Sequence, residues 1–171
     1  PQAGWGQMID SYFYENSVTV INKAVGGRSS KSFIQEGRLD EILANGQPGD
    51  YLMVYFGGND ASKKGMLEYT DPTLGWDVVD SNPDGYSEDA SYRYYLKQYV
   101  DGARAKGMIP VFVTVLPMYG YSNGVYGGGN YAIDHVNAMI DFGAEMGVPV
   151  ANLNPKFVNA MQSMGEEKAV K

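Results

Sequence analysis

The stretch VYFGGNDAS, residues 54–62, decides how this chain is read. An apolar run ends at once in two glycines, and Asn59-Asp60 come next with no spacer. Glycine lets a backbone N–H approach a ligand without interference from a Cβ. An Asn amide offers two donors and stays neutral at every ordinary pH. The upstream stretch SVTVINKAVGGRSS, residues 17–30, repeats the pattern: a β-branched run, the pair Gly26-Gly27, then Arg28, Ser29 and Ser30. Two strand ends that each open into glycine and polar side chains point to one shared site.

Working outward, four apolar runs read as strands: 17–22, 51–56, 111–116 and 148–153, the last weakened by Pro149. Their scant alternation predicts strands covered on both faces. Helical patterns lie between and around them. Trp5, Met8, Ile9, Tyr12 and Phe13 fall on one helix face. A short helix over 37–44 is closed by Asn45-Gly46. Tyr92, Tyr95, Leu96, Tyr99, Val100 and Ala103 repeat the stripe, with Glu88 and Asp89 ahead of it and Gly107 at its stop. Ala132, Val136, Met139, Ile140 and Gly143 form another, ended by Gly147. Asn154-Pro155 reads as a cap and first-turn proline ahead of Phe157, Val158, Met161 and Met164. Strands alternating with helices predict one α/β domain over 1–171, three-layered and flavodoxin-like, with a parallel sheet and helices on both faces. A doubly wound domain usually begins with a central strand. This chain opens on a helical pattern, so the first strand is expected to be missing. The loops 61–88, with Tyr69, Trp76 and Tyr86, and 118–131 are long enough to be functional.

Composition narrows the function. A length of 171 residues with 44% hydrophobic residues supports one sizeable core. A net charge of −7, with no Lys/Arg-rich run, argues against nucleic acid as a partner. No apolar stretch approaches the roughly 20 residues that span a bilayer. With no cysteine there is no disulfide, thiolate metal site or cysteine nucleophile. The 14 tyrosines and 22 glycines cluster in loops, which suits stacking on sugar rings as well as ordinary loop packing.

In open parallel sheets, sites form outside the carboxyl ends of the strands. A glycine N–H and an Asn side-chain N–H aimed at one point make an oxyanion hole for acyl transfer, where one donor is worth roughly 3–4 kcal/mol. Gly27 and Asn59 are the candidates. The plainer readings are a tight-turn glycine and an Asx-turn residue. Asp60 is expected to hydrogen-bond within its own loop. Arg28 can pair with an acid or touch substrate. His135 is the only histidine, and its neighbour Asp134 points to a different helix face, so a surface or packing role is expected. Ser29 and Ser30 have no visible activating base and read as helix-start residues.

The stretches NKAVGGRSSKSF (22–33), EGRLDEI (36–42) and PGDYLMVYFGGND (48–60) resemble the GDSL/SGNH hydrolases, most of all the rhamnogalacturonan acetylesterase branch, carbohydrate esterase family 12. PQAGWGQMI (1–9) resembles the segment just after the serine block in that branch. The resemblance implies that Gly27 and Asn59 supply the oxyanion hole, and that Arg28, Tyr119 and Tyr121 contact substrate. It implies a Gly-Asp-Ser block before Pro1 and an Asp-x-x-His block beyond Lys171, so that these residues are the middle of the enzyme and inactive alone. It further implies a serine acyl-enzyme, no metal or organic cofactor, secretion, and an acetylated plant cell-wall polysaccharide of the rhamnogalacturonan type as substrate. Two alternatives stand beside it. One is a GDSL-type esterase for lipid or acyl-thioester, whose apolar channel the Tyr/Gly/Asn loops argue against. The other is a carbohydrate-binding domain without turnover.

Overall fold

The computed structural model describes residues 4–61, 70–72, 91–117, 120–127 and 131–169. Helices α1 (Ser30–Gln35) and α2 (Arg38–Asn45) lead into strand β1 (Tyr51–Val54). Helix α3 (Tyr92–Ala105) leads to β2 (Ile109–Val113), and a small hairpin comes next, β3 (Tyr121–Ser122) with β4 (Val125–Tyr126). Helix α4 (Ile133–Met146) leads to β5 (Val150–Ala151), and α5 (Asn154–Met164) and α6 (Glu166–Ala169) come last. The main sheet runs β1-β2-β5, with Val54 opposite Phe112 and Phe112 opposite Val150, all parallel. Parallel neighbours need crossovers, and here α3 and α4 provide them. The architecture is thus α/β with a parallel sheet, as the alternation of patterns predicts.

The α3 stripe is the spine of the core. Tyr92, Tyr95, Leu96, Tyr99, Val100 and Ala103 are all buried. Most of them join one cluster with Phe33 and Leu39 of α1 and α2, Leu52 and Val54 of β1, Phe112 of β2, and Met139 and Phe142 of α4. Each large apolar side chain in such a cluster contributes about 1.5–3 kcal/mol by leaving water.

Several expectations are corrected. Residues 17–22 form no strand: Val18 and Ile21 are exposed, and among the described residues no ladder receives them. Extended backbone without a partner gains no hydrogen bonds, so propensity alone does not make a strand. Residues 5–12 form two 3-10 turns, Trp5–Gln7 and Ile9–Tyr12, not an amphipathic helix. Trp5 meets the Tyr55 ring, but Met8, Tyr12 and Phe13 are exposed, so little burial rewards a longer helix. β1 is covered on one face only: Leu52 and Val54 are buried while Tyr51 is 68% exposed. β2 is buried on both faces only near its end, at Phe112 and Val113. Within 148–153 the ladder shortens to Val150–Ala151. Finally, α5 is not capped by Asn154. Leu153 is the cap residue, and Thr114 Oγ1, at the end of β2, accepts the N–H groups of Leu153 and Asn154 at 2.9 and 3.1 Å.

Of the loop 61–88 only residues 61 and 70–72 are described, so Tyr69, Trp76 and Tyr86 lie outside the described residues, as do Glu88 and Asp89. The second long loop contains the β3–β4 hairpin.

Gly143 lets α4 lie directly on β5. A Cβ there would press on the Val150 side chain, 3.2 Å from the Val148 carbonyl and 3.4 Å from the Phe112 ring. Gly143→Ala is therefore expected to cost about 1–3 kcal/mol through overpacking, read as a lower urea midpoint at unchanged slope. A midpoint equal to the parent's would contradict this packing.

Candidate functional site

β1 ends in a turn that only glycine can open. Gly57 sits at φ +135°, and a Cβ on it would lie 2.9 Å from Val115 Cγ1 and 3.5 Å from His135 Cβ. Both conformation and space therefore demand glycine here. The Ala61 N–H donates to the Gly57 carbonyl at 3.0 Å and closes the turn. From α3, the buried Tyr92 donates its hydroxyl to the Phe56 carbonyl at 2.9 Å. Asn59 and Asp60 then diverge. Asp60 is fully buried, while Asn59 stays half-buried.

The second turn carries Gly26-Gly27, with Gly27 at φ +77°. Arg28 grips it: Nε donates to Glu36 at 3.0 Å and Nη1 to the Gly26 carbonyl at 3.1 Å. Arg38 holds the same Glu36, and the two guanidinium groups, Arg38 first, depress its pKa. Ser29 caps α1. Its Oγ accepts the Ser32 N–H at 3.1 Å, and Ser32 Oγ accepts the Ser29 N–H at 2.9 Å. Tyr99, two helical turns after Tyr92, donates to the Ser30 carbonyl at 2.8 Å.

Two links join the turns. Asp60 Oδ1 accepts the Ser30 N–H at 2.9 Å and also the Ser30 hydroxyl, while Oδ2 accepts the Gly57 N–H at 3.0 Å. Asn59 Nδ2 donates to the Arg28 carbonyl at 3.2 Å. The structure thus brings Asn59 against the residue next after Gly27. Asp60 does more than the expected bonding within its own loop, because it also holds the start of α1. Burial pushes its carboxyl pKa up, opposed by the Ser30 bonds and by His135.

The remaining candidates have other places. Ser29 and Ser30 are helix-start residues, as expected. His135 is a buried packing residue whose Nε2 bonds the Thr70 carbonyl at 2.8 Å. Its ring lies edge-on to Tyr92 at 4.9 Å, and its buried Nδ1 has no partner among the described residues. Tyr121 spends its hydroxyl on the Met161 carbonyl at 2.7 Å, pinning the hairpin to α5. Tyr119 lies outside the described residues.

Sequence reasoning missed the hydroxyl roles of Tyr92 and Tyr99, because periodicity marks a buried face without saying which carbonyl an O–H meets. It also missed Thr70, for which there was no signal. Tyr131 was missed too; its hydroxyl donates to the Gly58 carbonyl at 2.8 Å. A cleft of about 310 Å³ is bounded by Asn22, Lys23, Ala24, Val25, Phe33, Arg38 and Glu41. Neither Gly27 nor Asn59 lines it. Among the described residues, no group of three or more His, Asp or Glu is placed to hold a metal, and no helix is long and apolar enough to cross a membrane.

Residues 1–167 match the GDSL-like Lipase/Acylhydrolase family. The chain is 40% identical over 167 residues to the probable rhamnogalacturonan acetylesterase YesY of Bacillus subtilis (strain 168), covering 98% of this chain and 68% of that protein. It is 32% identical over 174 aligned residues to the rhamnogalacturonan acetylesterase RhgT of the same organism, covering 99% and 63%. The chain therefore spans roughly two thirds of the length of these relatives. The crystal structure of the Bacillus subtilis protein YxiM shares the fold, with a TM-score of 0.73 at 24% identity over 99% of this chain and 42% of that one.

The buried imidazole gives stability a defined pH dependence. Burial lowers the His135 pKa, partly offset by Asp60, the Thr70 bond, Asp134 and Asp71. An unfolded imidazole, with a pKa of about 6.5, therefore takes up its proton first as pH falls. The contribution of His135 is fully present above about pH 6.5 and is lost as pH drops through its lowered folded value. Asp60, with its raised pKa, contributes with the opposite sign, so a variant is needed to isolate the imidazole. The urea midpoint is expected to fall as pH is lowered from about 7.5 to about 5.5, and His135→Gln should flatten that slope. Equal slopes in parent and variant would show that this imidazole is not held neutral.

Proposed function

The chain belongs to the GDSL-like lipase/acylhydrolase family, and we propose that the protein is a carbohydrate esterase removing O-acetyl groups from a plant cell-wall polysaccharide of the rhamnogalacturonan type. The names of the relatives support the substrate class. The observation that carries the chemistry is the seating of Asn59 against the Gly27 turn, through Nδ2 and the Arg28 carbonyl at 3.2 Å.

In this reading a seryl oxygen attacks the acetyl carbonyl carbon, and a histidine takes the seryl proton. The carbonyl π pair moves onto oxygen, and the Gly27 N–H and Asn59 side chain receive the oxyanion. Asn59 has two N–H groups. One is spent on Arg28, and that bond fixes the plane in which the other points. Collapse of the intermediate expels the sugar oxygen, which leaves with the proton from histidine. Water then releases acetate from the acyl-serine. Ser30 gives its hydroxyl to Asp60 and His135 its Nε2 to the Thr70 carbonyl, which supports reading both as structural. Arg28 offers substrate its remaining guanidinium N–H groups, and Tyr121 its ring. Secretion and independence from metals or organic cofactors belong to the same proposal.

The test is made in the whole encoded protein. Asn59→Ala should lower kcat for acetate release from acetylated rhamnogalacturonan by roughly 10²–10³-fold with KM little changed, at unaltered circular dichroism. A variant with parental kcat would remove Asn59 from the site. Faster turnover of long-chain acyl esters than of the acetylated polysaccharide would remove the proposed substrate class.

A further inference from the structure

We propose that Asp60 is a positioning residue for the reaction: its carboxylate sets the separation of the two donor-bearing turns and so aims Asn59. The inference rests on the oxyanion reading above and goes beyond it, because Asp60 itself touches no reacting atom.

The geometry of one side chain carries the proposal. Asp60 is the next residue after Asn59, so its carboxylate and the Asn59 amide are borne by one turn. Oδ2 closes that turn on the Gly57 N–H at 3.0 Å. Oδ1 leaves the turn and takes both the N–H of Ser30, at 2.9 Å, and its hydroxyl. Ser30 lies three residues beyond Gly27, and the intervening Ser29 is locked as the α1 cap. One rigid planar group therefore fixes the Asn59 turn to the Gly27 turn across 30 residues of sequence. Thr70 adds a third attachment, its N–H donating to the Asp60 carbonyl at 3.1 Å and its hydroxyl to Oδ1 at 3.4 Å. All of this is fully buried, so water does not substitute for a lost bond. The other link, Asn59 to Arg28, is half-buried and holds only the amide. If the carboxylate lets go of either turn, Asn59 keeps its hydrogen-bonding capacity but loses its aim. Misplacement of about 1 Å can cost on the order of 10²-fold in rate.

Asp60→Asn separates positioning from bulk. It keeps shape and one carbonyl acceptor but turns an NH2 group toward either Gly57 N–H or the Ser30 donors, so one turn is released. In the whole encoded protein, kcat on an acetyl ester is expected to fall at least about tenfold, with KM little changed. The diagnostic readout is the double variant: Asn59→Ala/Asp60→Asn should be faster than the product of the two single losses predicts, because part of what Asp60 does is aim Asn59 and that part is already gone. Ser30→Ala removes one donor from the same carboxylate and serves if Asp60→Asn does not fold. It too should slow the parent several-fold and slow the Asn59→Ala background by a clearly smaller factor. Losses that multiply with Asn59→Ala, or parental kcat in both single variants, would overturn the positioning role. If Asn59→Ala itself keeps parental kcat, the oxyanion reading fails instead, so the two failures are distinguishable.

Discussion

A buried carboxylate needs donors, and the cluster around Asp60 arises from that need. Leaving a charge in the interior without hydrogen bonds costs far more than the few kcal/mol by which a domain is stable. Asp60 meets the requirement with the Gly57 N–H, the Ser30 N–H and the Ser30 hydroxyl. The dependence runs both ways. Two of these donors are backbone N–H groups at the end of a strand and the start of a helix, where no regular ladder serves them. Each would cost about 1–3 kcal/mol if buried unpaired. The carboxylate and the two chain ends satisfy one another, and that exchange sets their relative placement.

Helix α3 braces the same arrangement from beneath. Tyr92 and Tyr99 lie seven residues apart on one face, and their hydroxyls reach the Phe56 and Ser30 carbonyls. The rings belong to the main core while the hydroxyls serve the rim. Burial and the nearby Asp60 carboxylate raise both phenol pKa values, so they remain donors at any pH at which the fold survives. Core packing and site geometry are therefore joined through two side chains. The polar carboxyl edge of the sheet continues at β2, where Thr114 caps α5 and Asn154 Nδ2 donates to the Val115 carbonyl at 2.8 Å.

How much of this was legible in the sequence depended on whether the signal was local. The α3 stripe was readable because burial imposes a period on neighbouring residues, the short helix read over 37–44 lies at Arg38–Asn45, and β1 and β2 were readable as apolar runs. The turn after β1 was readable because an apolar run that stops in two glycines has few structural explanations. Where pairing decides, the sequence was silent. Residues 17–22 have the composition of a strand yet no ladder among the described residues, and residues 5–12 carry a helical stripe of which Trp5 meets the Tyr55 ring while Met8, Tyr12 and Phe13 stay exposed. The reach of Asp60 to Ser30 was invisible for the same reason: a carboxylate does not announce which distant N–H it will meet.

That long reach also leaves the Gly27 turn unequally anchored. Downstream it is fixed by the Ser29 cap, the Ser30–Asp60 bonds and the Tyr99 hydroxyl, all buried or nearly so. Upstream, residues 18–24 are largely exposed. Their described tethers are a Lys23–Glu41 ion pair at 2.6 Å and a bond from the Ala24 N–H to Asn22 at 3.0 Å. An exposed pair of this kind is worth about 0–1 kcal/mol, less than one buried backbone bond left unmade. Val25 also packs on the main core. The position of Gly27 is therefore set by Val25 and by the grip of α1 on the Asn59 turn, and not by the exposed apolar run over 17–22. The residue pattern that first suggests a strand delivering a glycine thus has its causal order reversed in the fold: Val25 and the helix start hold the glycine, and the run upstream trails behind them.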